Sequence, residues 1–341
     1  MINLLRVCVP LSLDCNIHCR YCYRDYKRLE SIPAFNDLMK SYLRQLDPLV
    51  TEAVVASGGE PLLHFDKVKE LFSYVPKNVH KKIMSNGLLI TQEIVDYINE
   101  NEIELLVSHD GPKTAFLRGF DVLADPVKAD LIRQVRILHI SGVITKFNTN
   151  YWENYFDSLK KLKRIDFMYN ANPISNVTPE QQYLVDGFNY DEWFETLIQF
   201  SKSPFHLVLP WYKGKTVKDF VSLPGRSVGF NVLPDGTVTG MIRITDVYGT
   251  VEDTFDDCVA KAHSLGLEDY CKNTHCELFG KCDSFLQNTT AHSCMCAKVF
   301  ASRFSDEYVA QTVNYLNNHM SAILQKYFPE YRETFHCYKV S

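Results

Sequence analysis

The first 200 residues alternate short apolar runs with amphipathic segments. The runs have the length of buried strands, whereas the segments between them repeat apolar residues at helical spacing. The predicted strands span residues 5–13, 52–57, 81–85, 104–108, 143–148 and 165–169. Strands that alternate with helices indicate parallel pairing through crossover connections. Six such units predict an α/β fold, a partial (β/α)6 barrel of the TIM type.

Helix starts support this alternation. Asn36 and Thr91 each precede an amphipathic run and are suitable N-caps, and Asp125 precedes Pro126, a residue favoured at the first helical position. We expect the third helix to carry Val127, Leu131, Val135 and Leu138 on its apolar face.

The second half of the chain predicts a smaller unit. Residues 227–233 and 237–242 flank the turn Pro234-Asp235-Gly236, which is typical of a hairpin. Residues 305–328 predict a long terminal helix. We therefore expect a barrel domain over residues 1–205 and a small α+β extension over residues 206–341.

Composition narrows the functional classes. The chain has 341 residues and a formal net charge of −5, without a basic stripe, so we expect no nucleic-acid partner. It contains no run of eighteen apolar residues, so we expect no membrane span. The apolar start contains Arg6 and Pro10, and we interpret it as the first core strand rather than a signal peptide. These features favour a cytoplasmic protein.

The eleven cysteines fall into two groups. Four lie before residue 23, none lies between 23 and 257, and seven lie from Cys258 onward. In a reducing cytosol they are metal ligands or thiols rather than disulfides. The grouping predicts two metal centres on two structural units.

The first group contains Cys15, Cys19 and Cys22 at the spacing C-x3-C-x2-C. Three thiolates are one fewer than a [4Fe–4S] cluster usually takes, so one iron is left open for a ligand that is not protein. The alternative is a zinc site with His18 as the fourth ligand. His18 lies between two of the cysteines, where simultaneous ligation is strained.

Polar residues follow the predicted strands at their carboxyl ends. In a barrel these ends meet at one rim, which is where active sites form. The successive endings are Ser57-Gly58-Gly59-Glu60-Pro61, Ser85-Asn86-Gly87, Ser108-His109-Asp110-Gly111, Asn148-Thr149-Asn150 and Asn170-Ala171-Asn172-Pro173. Five such endings in succession are more than ordinary turns explain.

The cysteine loop, with Tyr21 before its last cysteine, and the Gly58-Gly59-Glu60-Pro61 sequence about 36 residues later resemble the radical S-adenosylmethionine (SAM) enzymes. The resemblance implies that the open iron chelates the amino and carboxylate groups of SAM. One electron then breaks a carbon–sulfur bond, and a 5′-deoxyadenosyl radical abstracts hydrogen from the substrate.

The resemblance also implies the residues that contact SAM. The backbone of Gly58 and Gly59 meets the amino group, and glycine is expected there because a Cβ blocks that approach. His109 departs from the family pattern, and we expect it to be tucked away rather than facing substrate. The full predicted set is Tyr21, Tyr23, Gly58, Gly59, Glu60, Pro61, Ser85, Asn86, Ser108, Asp110 and Asn148.

The second cysteine group resembles the SPASM extension of this family, which normally carries two auxiliary clusters. The ligand positions of one cluster are lost, with Met241 and Leu286 in their place. We therefore expect one auxiliary [4Fe–4S] cluster; the alternative is a structural zinc, which His275 and His292 would suit. The predicted ligands are Cys271, Cys276, Cys282 and one of Cys294 or Cys296.

Relatives with this extension mostly modify peptides, so the resemblance implies maturation of a ribosomally made peptide by cross-linking or epimerisation, with a flavodoxin or ferredoxin-type electron donor. Only fourteen residues precede Cys15, so we expect a leader peptide to dock on the barrel or the extension. Cys258 or Cys337 is a candidate hydrogen-atom donor. The alternatives are a small-molecule substrate such as a sugar or nucleotide and, outside catalysis, a metal-binding partner protein.

Overall fold

One mixed sheet organises the part of the chain that the computed structural model describes. The structure describes residues 4–22, 31–49, 51–149, 157–164, 168–173, 179–189, 192, 206–207, 227–240 and 244–264. Within these ranges the ten strands are β1 Leu4–Pro10, β2 Thr51–Ser57, β3 Lys81–Ser85, β4 Glu104–Ser108, β5 Leu138–Ile144, β6 Met168–Pro173, β7 His206–Leu207, β8 Ser227–Val232, β9 Thr237–Thr239 and β10 Val247–Thr250. Their order is β10-β9-β8-β1-β2-β3-β4-β5-β6-β7.

Strands β1 to β7 pair in parallel with their neighbours, as the alternating pattern predicts. The described helices are α1 Asp37–Arg44, α2 Phe65–Tyr74, α3 Gln92–Glu100, α4 Thr114–Arg118, α5 Pro126–Arg133 and α6 Phe255–Ser264. The parallel β/α architecture of a partial barrel is therefore confirmed. None of these helices is long and apolar enough to cross a membrane.

Helix caps form where the sequence predicts them. The side chains of Asn36, Thr91 and Asp125 each accept a hydrogen bond from a backbone N–H in the first turn of α1, α3 and α5. Each cap satisfies a donor that the helix itself leaves unpaired. The helices then bury apolar residues such as Met39, Leu71 and Ile98 against the sheet.

The two faces of the central strands are distinct because successive side chains alternate. Val7, Val54 and Leu105 point toward the helices and belong to the main core. The opposite face, which we call the inner face, carries Cys8, Ala53 and Val55, with Met84 packed against them.

Two predicted boundaries are wrong at β5. The strand runs from Leu138 to Ile144 rather than over residues 143–148, and α5 ends at Arg133. Leu138 and Ile140 are buried against the helix side, whereas His139 faces the inner side and contacts Glu104, so the run alternates as a strand does. A short apolar run fits both periods, and tertiary pairing decides between them. Asn148 consequently lies in the loop after β5.

The predicted hairpin is confirmed as β8 and β9, with Asn231 opposite Thr239. Gly236 has a φ of +88° in the turn, which favours glycine. Strand β8 also pairs in parallel with β1, so the hairpin continues the barrel sheet. The division of the chain near residue 205 stays a prediction, and the predicted terminal helix over residues 305–328 lies outside the described residues.

Candidate functional site

The cysteine loop begins where β1 ends. Leu11 N–H still donates to Ser57 O (3.0 Å), after which the chain turns away through Cys15, Cys19 and Cys22. The thiols of Cys15 and Cys22 are exposed and that of Cys19 is half-buried. Among the described residues, no three His, Cys, Asp or Glu side chains converge closely enough to hold a single metal ion. Ligands to separate irons of a cluster do not need to converge on one point, whereas zinc ligands do.

The backbone after β2 lies directly against this loop. Gly59 N–H donates to Ser12 O (2.8 Å), and Glu60 N–H donates to Asp14 O (2.7 Å). A Cβ on Gly59 would lie 1.9 Å from Asp14 O, and one on Gly58, where φ is +116°, would lie 2.4 Å from Ser12 O. Both glycines are therefore required by the packing of the protein on itself.

The Glu60 side chain joins the ends of β2 and β3. It is 1% exposed, and its carboxylate accepts hydrogen bonds from Ser85 Oγ (2.8 Å), Asn86 N–H (2.8 Å) and Leu62 N–H (3.1 Å). Burial raises the pKa of Glu60 above its ordinary value, although these hydrogen bonds oppose the shift. Asn86 Nδ2 donates to Asn16 Oδ1 (2.8 Å) in the cysteine loop, so the end of β3 also holds that loop.

A buried network connects the end of β4 to the same loop. Asp110 is fully buried, and its carboxylate accepts four hydrogen bonds: from Tyr21 OH (2.7 Å), from Arg118 Nε (2.8 Å) and Nη2 (3.1 Å), and from Val143 N–H (2.8 Å). Arg118 also directs Nη1 toward Cys19 Sγ at 3.9 Å. Its guanidinium lies over the Tyr21 ring, 5.2 Å from the centroid.

This network determines the protonation of its members. Burial lowers the pKa of Arg118, but the Asp110 carboxylate raises it more strongly, so it lies above its ordinary value and the side chain stays a cation. Burial raises the pKa of the Cys19 thiol to about 11, while the Arg118 cation acts in the opposite direction. A ligand to iron is a thiolate, so a cation beside Cys19 favours the form that binds metal.

Comparison with known proteins agrees with this geometry. The family model described as the radical SAM superfamily matches residues 9–170, a range that contains the cysteine loop, the glycine turn and the Asp110 network. This part of the chain is a radical SAM domain. The prediction made from the cysteine spacing and the glycine turn is therefore confirmed.

Relatives and solved structures extend the comparison at low identity. A cysteine-type anaerobic sulfatase-maturating enzyme of Clostridium perfringens is 23% identical over 217 residues, which cover 56% of this chain and 58% of that protein. The chain spans little more than half the length of the curated relatives it matches. A structure of anSMEcpe with bound AdoMet and Kp18Cys peptide has a TM-score of 0.64 at 20% identity, covering 92% of this chain and 99% of that one. Streptococcus suis SuiB bound to precursor peptide SuiA has a TM-score of 0.51 at 16% identity, covering 70% of this chain and 59% of that one.

Among the residues that the structure describes, Ser57 carries a buried polar atom suited to a ligand at this rim. Ser57 is 1% exposed, and its Oγ has no hydrogen-bond partner among the described residues. Ser57 follows Ala53 and Val55 at the strand repeat of two, so it lies on the inner face at the carboxyl end of β2. Leaving a buried hydroxyl unpaired costs about 1–3 kcal/mol, so a polar ligand group there is favoured. The site fits a cluster on the loop and SAM across the rim.

Other predicted contacts are engaged within the protein. Asn148 is fully buried, with Oδ1 accepting from Thr145 N–H (2.6 Å) and Nδ2 donating to Val143 O (2.9 Å). Ser108 is half-buried at the end of β4, and Pro61 opens a short 3-10 helix. That Tyr21, Glu60, Ser85, Asn86, Asp110 and Asn148 contact SAM directly stays a prediction; the structure shows them holding the loop and rim.

His109 is fully buried, as expected for a residue that does not face substrate. Its Nδ1 accepts from Gly111 N–H, so Nε2 carries the proton and donates to Asp121 Oδ1 (3.0 Å). Cys258 on α6 is buried in the main core on the helix side of the sheet, a position that argues against hydrogen donation at the rim. Several predicted residues lie outside the described residues: Tyr23, Cys271, Cys276, Cys282, Cys294, Cys296 and Cys337.

Arg118 is the site residue that sequence reasoning missed. It ends a five-residue helix, eight positions after Asp110, and no motif identifies it. Gly119, which follows Arg118 with a left-handed φ of +89°, marks the end of α4 but does not indicate the contacts of Arg118.

Proposed function

We propose that this protein binds a [4Fe–4S] cluster through Cys15, Cys19 and Cys22, binds SAM at the open iron, and abstracts hydrogen from a substrate. When bound, cluster and SAM supply a 5′-deoxyadenosyl radical by one-electron cleavage of a carbon–sulfur bond. The observation that carries the proposal is the cysteine loop itself, with two exposed thiols, held by groups from the ends of β2, β3 and β4.

The protein's own residues position the reacting partners. The backbone contacts of Gly59 and Glu60 fix the loop relative to β2. Arg118 favours the thiolate form of Cys19. The buried Ser57 hydroxyl suits a polar group of SAM or substrate on the inner face. Chemistry of this kind belongs to the cofactor, while the fold supplies binding and orientation.

We propose a peptide substrate, with a cross-link or epimerisation as the outcome. Two solved structures of similar fold contain peptides, named Kp18Cys peptide and SuiA. The rim beside the cysteine loop carries an aromatic surface in which Phe116 and Tyr183 are 40% and 39% exposed and Phe147 lies between them. Exposed aromatic rings are suitable for peptide side chains because they bury large area at low conformational cost.

We propose an auxiliary [4Fe–4S] cluster in the C-terminal region, with Cys271, Cys276, Cys282 and one of Cys294 or Cys296 as ligands. A flavodoxin or ferredoxin-type protein in the cytoplasm would supply the electron. The cysteine spacing supports the auxiliary cluster, and the resemblance to radical SAM enzymes supports both assignments.

The test is anaerobic reconstitution with iron and sulfide, followed by dithionite and SAM. We expect about eight irons per chain, four for each cluster, and formation of 5′-deoxyadenosine. Cys15→Ala should lose about half of the iron and all of the 5′-deoxyadenosine. Cys8→Ala is the matched control because Cys8 is a buried cysteine of β1 that packs among Ala53 and Val55. Failure of the wild-type protein to bind iron would overturn the proposal.

The substrate class needs its own experiment. Short peptides encoded beside the gene are incubated with the loaded enzyme, with sugars and nucleotides in parallel. A peptide that increases 5′-deoxyadenosine formation and either loses two hydrogens or takes up solvent deuterium supports the proposal. Stimulation by a small molecule alone would replace the peptide proposal and leave the radical reaction in place.

A further inference from the structure

We propose that Arg118 is a positioning residue that stabilises the cluster-bound Cys19 thiolate and raises the reduction potential of the cluster. The inference rests on the proposed function in one respect, namely that Cys19 ligates an iron–sulfur cluster. It assigns to Arg118 a role beyond that proposal, because the residue acts on the cluster through Cys19 and not on substrate.

The geometry gives Arg118 two partners on opposite sides. Nε and Nη2 donate to the two oxygens of Asp110, which fixes the plane of the guanidinium. Nη1 is thereby directed toward Cys19 Sγ at 3.9 Å. The Arg118 side chain is 8% exposed and that of Asp110 is fully buried, so water screens the arrangement weakly.

Asp110 is itself held from three directions, which makes the arrangement rigid. Tyr21 OH and Val143 N–H occupy the carboxylate positions that Arg118 leaves. Tyr21 belongs to the cysteine loop and Val143 to β5, so the carboxylate that orients the guanidinium cannot move without breaking its contacts with both. The consequence is a donor held at a fixed distance and direction from the Cys19 sulfur.

Such a donor acts mainly on the reduced cluster. Reduction adds negative charge to the cluster and its thiolates, and a hydrogen bond or cation at a ligand sulfur stabilises that charge. The Asp110 carboxylate neutralises the pair as a whole, yet it lies on the far side of the guanidinium from Cys19. The field at the sulfur is therefore dominated by the nearer cation.

The experiment measures the midpoint potential of the N-terminal cluster in full-length reconstituted protein without SAM, by following the electron paramagnetic resonance signal of the reduced state. The signal that changes when SAM is added afterwards identifies this cluster. Arg118→Met removes the charge and the hydrogen-bond donors, whereas Arg118→Lys keeps the charge but loses the paired hydrogen bonds to Asp110. Arg20→Met is the matched control, because Arg20 is an exposed arginine of the same loop whose guanidinium lies 4.5 Å from the Phe116 ring centroid.

We expect Arg118→Met to lower the ratio of reduced to oxidised cluster at a fixed potential about tenfold, which is about 59 mV for one electron. Arg118→Lys should fall between Arg118→Met and wild type, and Arg20→Met should match wild type. If Arg118→Met fails to load iron, the double variant Asp110→Asn with Arg118→Gln replaces the buried ion pair by neutral amides and should show the same shift.

Two results would overturn the inference while leaving the proposed function intact: a fully loaded Arg118 variant with the wild-type potential, or an equal shift in Arg20→Met. A wild-type protein that binds no iron at the cysteine loop would instead overturn both, and the iron count separates these cases.

Discussion

Substitution of Gly59 by alanine tests whether the glycine turn exists for packing within the protein. A Cβ at this position would lie 1.9 Å from Asp14 O, against the 3.0 Å below which real Cβ atoms essentially never approach, a shortfall of about 1.1 Å. The contact is with backbone, so no side-chain rotation relieves it. The glycine turn and the cysteine loop must separate, which breaks the hydrogen bonds Gly59 N–H to Ser12 O and Glu60 N–H to Asp14 O.

The expected loss follows from these two hydrogen bonds. Each contributes about 1 kcal/mol, and a buried group left unpaired costs about 1–3 kcal/mol. We therefore expect Gly59→Ala to lower the free energy of unfolding by about 3 kcal/mol, measured by anaerobic urea denaturation of the protein without iron or SAM. Omitting SAM separates internal packing from the alternative that glycine only makes room for the cofactor.

Gly187→Ala is the control for this measurement. Gly187 has a left-handed φ of +74°, but its Cβ would have no heavy atom within 4 Å. The expected cost is only about 1–2 kcal/mol of backbone strain. A Gly59→Ala protein no less stable than Gly187→Ala, and with the wild-type iron content after reconstitution, would refute the close-approach reasoning.

Three further predictions concern stability and are read from denaturation curves. Burial raises the pKa of Glu104, but hydrogen bonds from His139, His80 and Lys82 lower it more strongly, so it lies well below its ordinary value. Glu104→Gln should therefore lower the free energy of unfolding by about 3 kcal/mol at neutral pH. This difference from wild type should be complete above the ordinary glutamate pKa of about 4.3 and should shrink as the pH falls below that value. A difference that stays constant down to acid pH would contradict this reasoning. Asn148→Ala should cost about 2 kcal/mol because it leaves Thr145 N–H and Val143 O without their partner; a change below 0.5 kcal/mol, about the size of a surface substitution, would argue against it. Thr91→Ala should lower the free energy of unfolding by about 1 kcal/mol because it removes the N-cap of α3. Thr91→Ser is the conservative control, because its hydroxyl keeps the cap and most of the stability.

The sequence predicts the strands best where the apolar pattern and the turn residues at the strand ends indicate the same limits. β3 and β4 match their predicted limits because each is a short run that ends at a polar turn, and burial in β3 also alternates along the strand. β5 is displaced because its apolar residues fit a helix as well as a strand, and only pairing with β4 and β6 decides. Local patterns are therefore reliable when one period alone explains them.

The residues of the candidate site also differ in how far the sequence alone predicts them. The cysteines and glycines are recognisable because they are spaced along the chain. The contacts of Glu104 with Lys82 and His139 depend on strand register, which places Lys82 beside Glu104 in the parallel pairing of β3 and β4. Arg118 reaches Asp110 and Cys19 only after α4 folds back across the loop. Interactions created by register and by helix placement leave no pattern in the sequence.

The cysteine loop is held at points that come from different strand ends. Backbone after β2 holds Ser12 and Asp14, Asn86 after β3 holds Asn16, and Asp110 with Arg118 after β4 holds Tyr21 and Cys19. Because these attachments follow one another along the loop, loosening one leaves the others in place. A single substitution at the rim should then weaken cluster binding mainly through the cysteine nearest to it. Asn86→Ala should loosen the part of the loop around Asn16, beside Cys15. Substitutions at Arg118 should instead act on Cys19. The two effects can be distinguished because only the Arg118 substitutions alter a direct contact with a ligand sulfur.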